Sequence, residues 1–172
     1  IGATSAVFSV ARAGLLTPLP YADTARRVML FTRWTAFDKT WLADGEVVDF
    51  RRMVHTLSAV AAWLTRPQNL TGDGRPVRVT IGFVSANTFD VLGVAPQLGR
   101  PFSQRDDQPH AAPVVILGDE LWRGRYGSNP QIIGRSVLLD DEMVQVVGVM
   151  PAGFKLPTDF TEEAASPSQA WR

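Results

Sequence analysis

Two histidines, His55 and His110, and three acidic runs could in principle do acid–base or metal chemistry. The runs are Asp106-Asp107, Asp140-Asp141-Glu142 and Glu162-Glu163. Paired acids serve glycosidase or metal chemistry only when they converge in a cleft. Adjacent acids on a strand point to opposite faces, and acids in loops are usually solvated. Asp140-Asp141-Glu142 has the composition of a hairpin turn. The histidines lie in unrelated contexts, one on an expected helix and one in a polar loop, so a triad or metal site needs the fold to bring them together.

No catalytic motif rises above background. The chain has no phosphate-binding loop, no dinucleotide fingerprint, no His-Glu-x-x-His and no Gly-x-Ser-x-Gly elbow. With no cysteine, disulfides, cysteine-bound zinc and thiol nucleophiles are excluded. Arg123 and Arg125 beside Trp122 and Tyr126 resemble a base-stacking patch. The plainer expectation is that Leu121 and Trp122 pack the core while the arginines face water. Asn69-Leu70-Thr71 matches a glycosylation pattern that would mean nothing in a bacterial chain.

Seventeen basic residues balance 17 acidic ones, which argues against a nucleic-acid partner. The 172 residues suffice for one domain or two small lobes, and a hydrophobic fraction of 45% supports a real core.

The elements that must position these residues can be read along the chain. Ile1–Leu16 is mostly small or apolar, too short to span a bilayer, and carries Arg12. It reads either as an amphipathic surface helix or as the exit end of a membrane helix, stopped by Pro18 and Pro20. Val28–Thr32 reads as a buried strand and Thr35–Asp44 as loop. Asp44 is a candidate cap for a helix carrying Val47, Phe50, Val54 and Leu57 on one face. A strand near Ala62–Thr65 is favoured over a continued helix because Pro67 follows.

Thr71-Gly72-Asp73-Gly74 is a turn signal. After it, Val77, Val79, Ile81 and Phe83 alternate with Arg78, Thr80 and Gly82, the pattern of a strand with one dry and one wet face. Ser85 is expected to cap a short helix that buries Phe89 and Leu92 and closes at Gly93. Pro113–Leu117 reads as a strand. Asp119 is expected to cap a helix over Glu120–Tyr126, closed by Gly127. Asn129-Pro130 starts one more turn, ended at Gly134. Arg135–Leu139 and Met143–Met150 read as strands joined at Asp140-Asp141-Glu142. Thr158–Arg172 reads as a free tail or as part of a partner segment.

Several segments, in this order, resemble one family. They are IGATSAVFSVARAGLLTPLPYAD (Ile1–Asp23), NLTGDGRPVRV (Asn69–Val79) and VSANTFDVLGVAPQLGRPFSQRDD (Val84–Asp107). PVVILGDELWRGRYG (Pro113–Gly127) and IIGRSVLLDDEMVQVVGVMPAGFKLP (Ile132–Pro157) follow, with Trp171 at the end. The ordered set resembles the MacB-like periplasmic domain of ABC transporter permeases of the MacB/FtsX type, especially an acidobacterial group.

The resemblance implies an α+β fold of two lobes. Residues 1–19 would end the first transmembrane helix, 20–84 form an incomplete porter-like α/β lobe, 85–157 an inserted β-rich lobe with short helices, and 158–172 a tail toward a further segment. It also implies a permease homodimer in a bacterial inner membrane, paired with a cytosolic ATPase and with this domain in the periplasm. A periplasmic adaptor or substrate protein is a further implied partner. ATP-driven motion would pass through the domain to export or extract a substrate. The resemblance supplies no catalytic, cofactor or metal residue, and none is assigned. The exposed loops Ser103–Ala112 and Asp140-Asp141-Glu142 are the expected interaction surfaces. A soluble hydrolase, which needs a closed pocket where histidine and carboxylate meet, and a stand-alone substrate-binding module, which needs a deep apolar pocket, are the rival readings.

Overall fold

The computed structural model describes residues 21, 26–30, 32–34, 37–40, 44–157 and 167–172. The expected end of a membrane helix at 1–19 lies outside the described residues, as does most of the expected tail at 158–166. Among the described residues no helix is long and apolar enough to cross a membrane.

Among the described residues nine strands and three helices follow one another. The chain runs β1 (Thr32–Trp34), β2 (Phe37–Thr40), α1 (Asp44–Met53), β3 (Trp63–Thr71), β4 (Val77–Val84), α2 (Thr88–Leu92) and β5 (Leu98–Gly99). It continues through β6 (Val114–Leu117), α3 (Asp119–Tyr126), a single 3-10 turn at Pro130–Ile132, β7 (Ser136–Leu139), β8 (Glu142–Val149) and β9 (Ala170–Trp171). The class is α+β, as expected. The first strand starts at Thr32 rather than Val28, and β2 occupies part of the stretch read as loop. These two strands form a small antiparallel ribbon of their own.

The other seven strands share one sheet in the order β5-β8-β6-β9-β4-β3-β7, and β7 pairs back onto β8. Six strands therefore close a ring, with β5 appended. β8 makes this possible because its one edge serves β7 and then β5 in succession, while β6 runs along the other. Closure removes most of the free edges that an open sheet exposes. The division expected between Val84 and Ser85 does not separate two sheets: β3 and β4 from one side pair within the same ring as β6–β9 from the other.

Local chemistry explains the joints. Asp140 and Asp141 have φ of 43° and 68°, both positive, as a two-residue type I′ hairpin requires. Leu139 faces Glu142 across that turn. In β8, Val144 and Val146 point into the ring, Val147 points out, and Val149 points in again. The register against β6 slips at the same place, from Val146 to Gly148. Val147 is thus the extra residue of a β-bulge. Pro67 lies inside β3 rather than ending it. It is tolerated because β7 joins β3 only at Leu70 and Thr71, so the stretch around Pro67 is an edge among the described residues.

The segment 167–172 corrects the expectation of a free tail. Ala170–Trp171 lies between β4 and β6, parallel to the first and antiparallel to the second. Backbone bonds continue the seam: Gln169 N–H to Thr80 O at 2.8 Å, Arg172 N–H to Gly82 O at 2.9 Å and Val84 N–H to Arg172 O at 2.9 Å. A short polar sequence gives no periodic signal for such a strand. Partners distant in the chain supply its stability instead.

Two apolar clusters follow from the alternation. Val79, Ile81, Val115, Leu117, Val137, Leu139, Val144, Val146 and Ala170 fill the ring. Outside it, Ile116, Val147 and Trp171 pack under α2 with Phe89, Leu92, Phe102, Phe154 and Leu156. The face of β4 expected to be wet is therefore dry at its C-terminal end. Gly82 is buried there, and a Cβ on it would meet Trp171 Cδ1 at 2.5 Å. Trp171 rests edge-on against Phe154 and Phe89, at 5.0 and 6.1 Å between centroids.

Candidate functional site

The two histidines stand on separate exposed segments. His55 is exposed just beyond α1, and His110 is exposed in the loop before β6 with φ 67°. Among the described residues no group of three histidine, aspartate or glutamate side chains could hold a metal ion. Glu162-Glu163 lies outside the described residues.

Asp106 of the first acidic pair is committed to holding its own loop. It takes a bidentate ion pair from Arg100, at 2.7 and 2.9 Å, and both the backbone N–H and the hydroxyl of Ser103, at 2.7 and 2.8 Å. The Arg100 hydrogen bonds, opposed by burial and helped by Ser103, hold its carboxyl well below the usual carboxylate range. The same pairing holds the Arg100 guanidinium upward. Such a group is a staple rather than a proton donor at neutral pH. Ser103–Ala112, one of the two expected interaction surfaces, is thus an exposed loop pinned at its start.

Asp140 is committed in the same way. Its Oδ1 accepts from the Asn69 backbone N–H at 2.8 Å and from Asn69 Nδ2 at 2.9 Å. The Asn69 backbone bond is the main cause holding this exposed carboxyl low. Glu142 pairs with Arg172 at 2.6 Å, and Arg172 also lies over the Phe83 ring. The second expected interaction surface is therefore a hairpin tip fastened to β3 and β9. Beside it Asn69, Thr71, Pro76, Val77, Arg78, Asp140 and Asp141 line an open cleft of about 370 Å³. Its walls are polar and apolar in equal part and it is open to solvent, unlike the deep apolar pocket of a substrate-binding module.

α3 departs most from expectation. Leu121 and Trp122 pack against the ring, as read from the sequence. The helix begins at Asp119, with Gly118 as its cap, so Asp119 does not cap. Instead Asp119, 5% exposed, receives Arg123 Nε at 2.8 Å and Gln97 Nε2 at 2.7 Å. Arg125 is not simply solvated. Its NH1 donates to the Arg75 carbonyl at 2.9 Å, while Nε and NH2 are buried without a hydrogen-bond partner among the described residues. The Tyr126 hydroxyl is buried and unpartnered in the same sense. Burial pushes the phenol upward, and Arg125, Asp73 and Arg135 are the charges that bear on it. Helical spacing carried the signal: Arg125 is four residues after Leu121, on the packed side.

Ser85 likewise acts otherwise than expected. Its hydroxyl accepts the Ala62 N–H and meets the Asn87 and Thr88 side chains, tying the end of the β3 approach to α2. Gly93 and Gly127 do close their helices in the left-handed conformation, and Asn129 Oδ1 accepts from Gln131 N–H as a cap.

A family model described as the MacB-like periplasmic core domain matches residues 1–169. This chain belongs to that family. Solved structures place the MacB-like fold beside two transporter domains. The extracellular domain of the noncanonic ABC-type transporter YknZ from Gram-positive bacteria matches with a TM-score of 0.56 and 17% identity, over 73% of this chain and 59% of that one. The periplasmic region of MacB from Actinobacillus actinomycetemcomitans matches with a TM-score of 0.50 and 16% identity, over 72% of this chain and 61% of that one. At these identities the likeness is one of fold. The MacB-like chain spans about three fifths of the length of either structure. No curated protein matches it.

Proposed function

We propose that this chain is the extracytoplasmic domain of an ABC transporter permease and that it transmits ATPase-driven motion without doing chemistry. The family match over 1–169 is the observation that carries the reading. The closed ring supports it physically. A sheet that bonds to itself all round, stapled by Arg100–Asp106 and by the Asp140–Asn69 lock, moves as one body and does not dissipate a push in local bending.

In this reading the permease sits in a bacterial inner membrane with the domain on the periplasmic side. Two permease copies pair, a cytosolic ATPase binds their membrane part, and a periplasmic adaptor or substrate protein meets the exposed loops. The direction is export or extraction. Residues 1–19 are then the end of a membrane helix.

The test is affinity purification of the full-length permease from membranes in mild detergent. The expected complex contains two permease copies and an ATPase, and its ATP hydrolysis depends on both. A full-length protein that is monomeric, purifies without an ATPase and turns over a small substrate alone contradicts the proposal.

A further inference from the structure

We propose that the β3–β4 turn is a latched flap over an oxyanion site built from Arg125, Arg135 and Tyr126, and that the site takes a carboxylate from another molecule. The inference does not depend on the permease reading.

The turn between β3 and β4 contains Gly72 and Gly74, at φ of 91° and 81°, on either side of Asp73. A Cβ at Gly74 would meet nothing within 4 Å. Two polar contacts tie the turn down: Arg125 NH1 to the Arg75 carbonyl at 2.9 Å, and Arg135 NH2 to Asp73 at 3.2 Å. Both members of the ion pair are about half exposed. Glycine-flanked backbone held by two surface contacts is inexpensive to lift.

Beside it lie donors that no acceptor among the described residues meets at full hydrogen-bond geometry. The unpartnered Nε and NH2 of Arg125 form the side edge of the guanidinium, two parallel N–H groups at the spacing of two carboxylate oxygens. The Tyr126 hydroxyl lies within side-chain hydrogen-bonding range of Arg125 but is not met at full hydrogen-bond geometry, and Arg135 and Asp73 are near enough to bear on it. The group holds two guanidiniums against one carboxylate, so one cation is in excess. Sequestered N–H groups without partners carry a desolvation cost, which a bound oxyanion returns. Asp73 is then a built-in competitor, holding Arg135 until an outside carboxylate displaces it. A single planar anion fits this edge and this charge better than a dianion does.

The test follows the Arg125 and Arg135 Nε–H resonances by nitrogen-15 NMR in the 172-residue chain. The probes are an end-blocked tetraglutamate peptide and, separately, inorganic phosphate. The peptide is expected to move the Arg125 resonance saturably. Asp73→Asn is expected to tighten binding about two- to fivefold by removing an exposed ion pair as competitor. Arg125→Lys keeps the charge, loses the edge and is expected to abolish the peptide response, read in this variant at the Arg135 Nε–H. An unmoved Arg125 resonance in both the parent chain and Asp73→Asn overturns the site, as does an undiminished peptide response in a folded Arg125→Lys. If Arg125→Lys does not fold, the Asp73→Asn comparison decides alone. Saturation by phosphate but not by peptide overturns the carboxylate assignment.

Discussion

Replacing Trp171 with alanine is expected to remove about 3–5 kcal/mol of stability, the range for deleting a fully buried large aromatic. Trp171 is 1% exposed, packs edge-on against Phe89 and Phe154, and lies on the bare backbone of Gly82. No side chain stands behind Gly82 to fill the space, so the cavity collapses poorly. The indole N–H has no hydrogen-bond partner among the described residues, so its removal strands no acceptor there. Trp171→Phe therefore loses volume alone and is expected to cost about half as much. A domain of this size has about 5–15 kcal/mol in total, so the alanine variant sits near the edge of folding. Urea unfolding followed by circular dichroism measures both changes, with an unchanged slope showing that the unfolded state is not the cause. A loss below about 1 kcal/mol for Trp171→Ala, the scale of a surface change, refutes the placement of β9 inside the sheet.

Gly82→Ala presses a methyl into the same indole and is expected to destabilise by about 1–3 kcal/mol, with partial recovery when combined with Trp171→Phe in a double-mutant cycle. Asp106→Asn is expected to cost about 1–2 kcal/mol at neutral pH. The folded carboxyl is held below its unfolded value, so its contribution is full above the unfolded pKa of about 3.9 and fades as pH falls toward the folded one. The gap between parent and variant should accordingly be constant above about pH 5 and narrow below it, as read by denaturation at several pH values. Asp141→Gly places glycine where φ is 68° and makes an Asp-Gly type I′ turn. A gain of about 0.5 kcal/mol in thermal or urea unfolding is expected, and a loss contradicts the turn assignment.

What the sequence made legible is what depends on neighbours in the chain. The alternation of Val77, Val79, Ile81 and Phe83 is a period-two signal, and β4 is there. Gly93 and Gly127 read as helix ends because a left-handed residue is needed after the last turn. Asp140-Asp141 read as a hairpin because few residues accept positive φ twice in succession. Ring closure was not legible. It depends on β7 meeting β3 at two residues, on a bulge at Val147, and on β9 entering between strands about 55 and 90 residues earlier in the chain. The charged residues show the same divide. That Asp140 and Asp141 belong to a turn was plain, whereas Glu142, read with them, opens β8. That Asp119 would be spent on Arg123 and Gln97, and that Arg125 would bury two nitrogens, required the packed position of α3. Candidate chemistry did not gather: His55 and His110 lie on separate exposed segments, and among the described residues no three histidine or acidic side chains group together.

These 172 residues contain no cysteine, so a label placed in the domain tests the proposed mechanical role directly once any cysteine elsewhere in the permease is replaced. A single cysteine at exposed Gln131 on the 3-10 turn, spin-labelled in the full-length permease bound to its ATPase, reports the distance between the two copies' domains. Pulsed electron resonance should show that distance distribution shifting by several ångströms, on the scale of rigid-body domain motion, between the ATP-bound and nucleotide-free states. An identical distribution in both states, in a complex that hydrolyses ATP normally, contradicts a domain that carries motion.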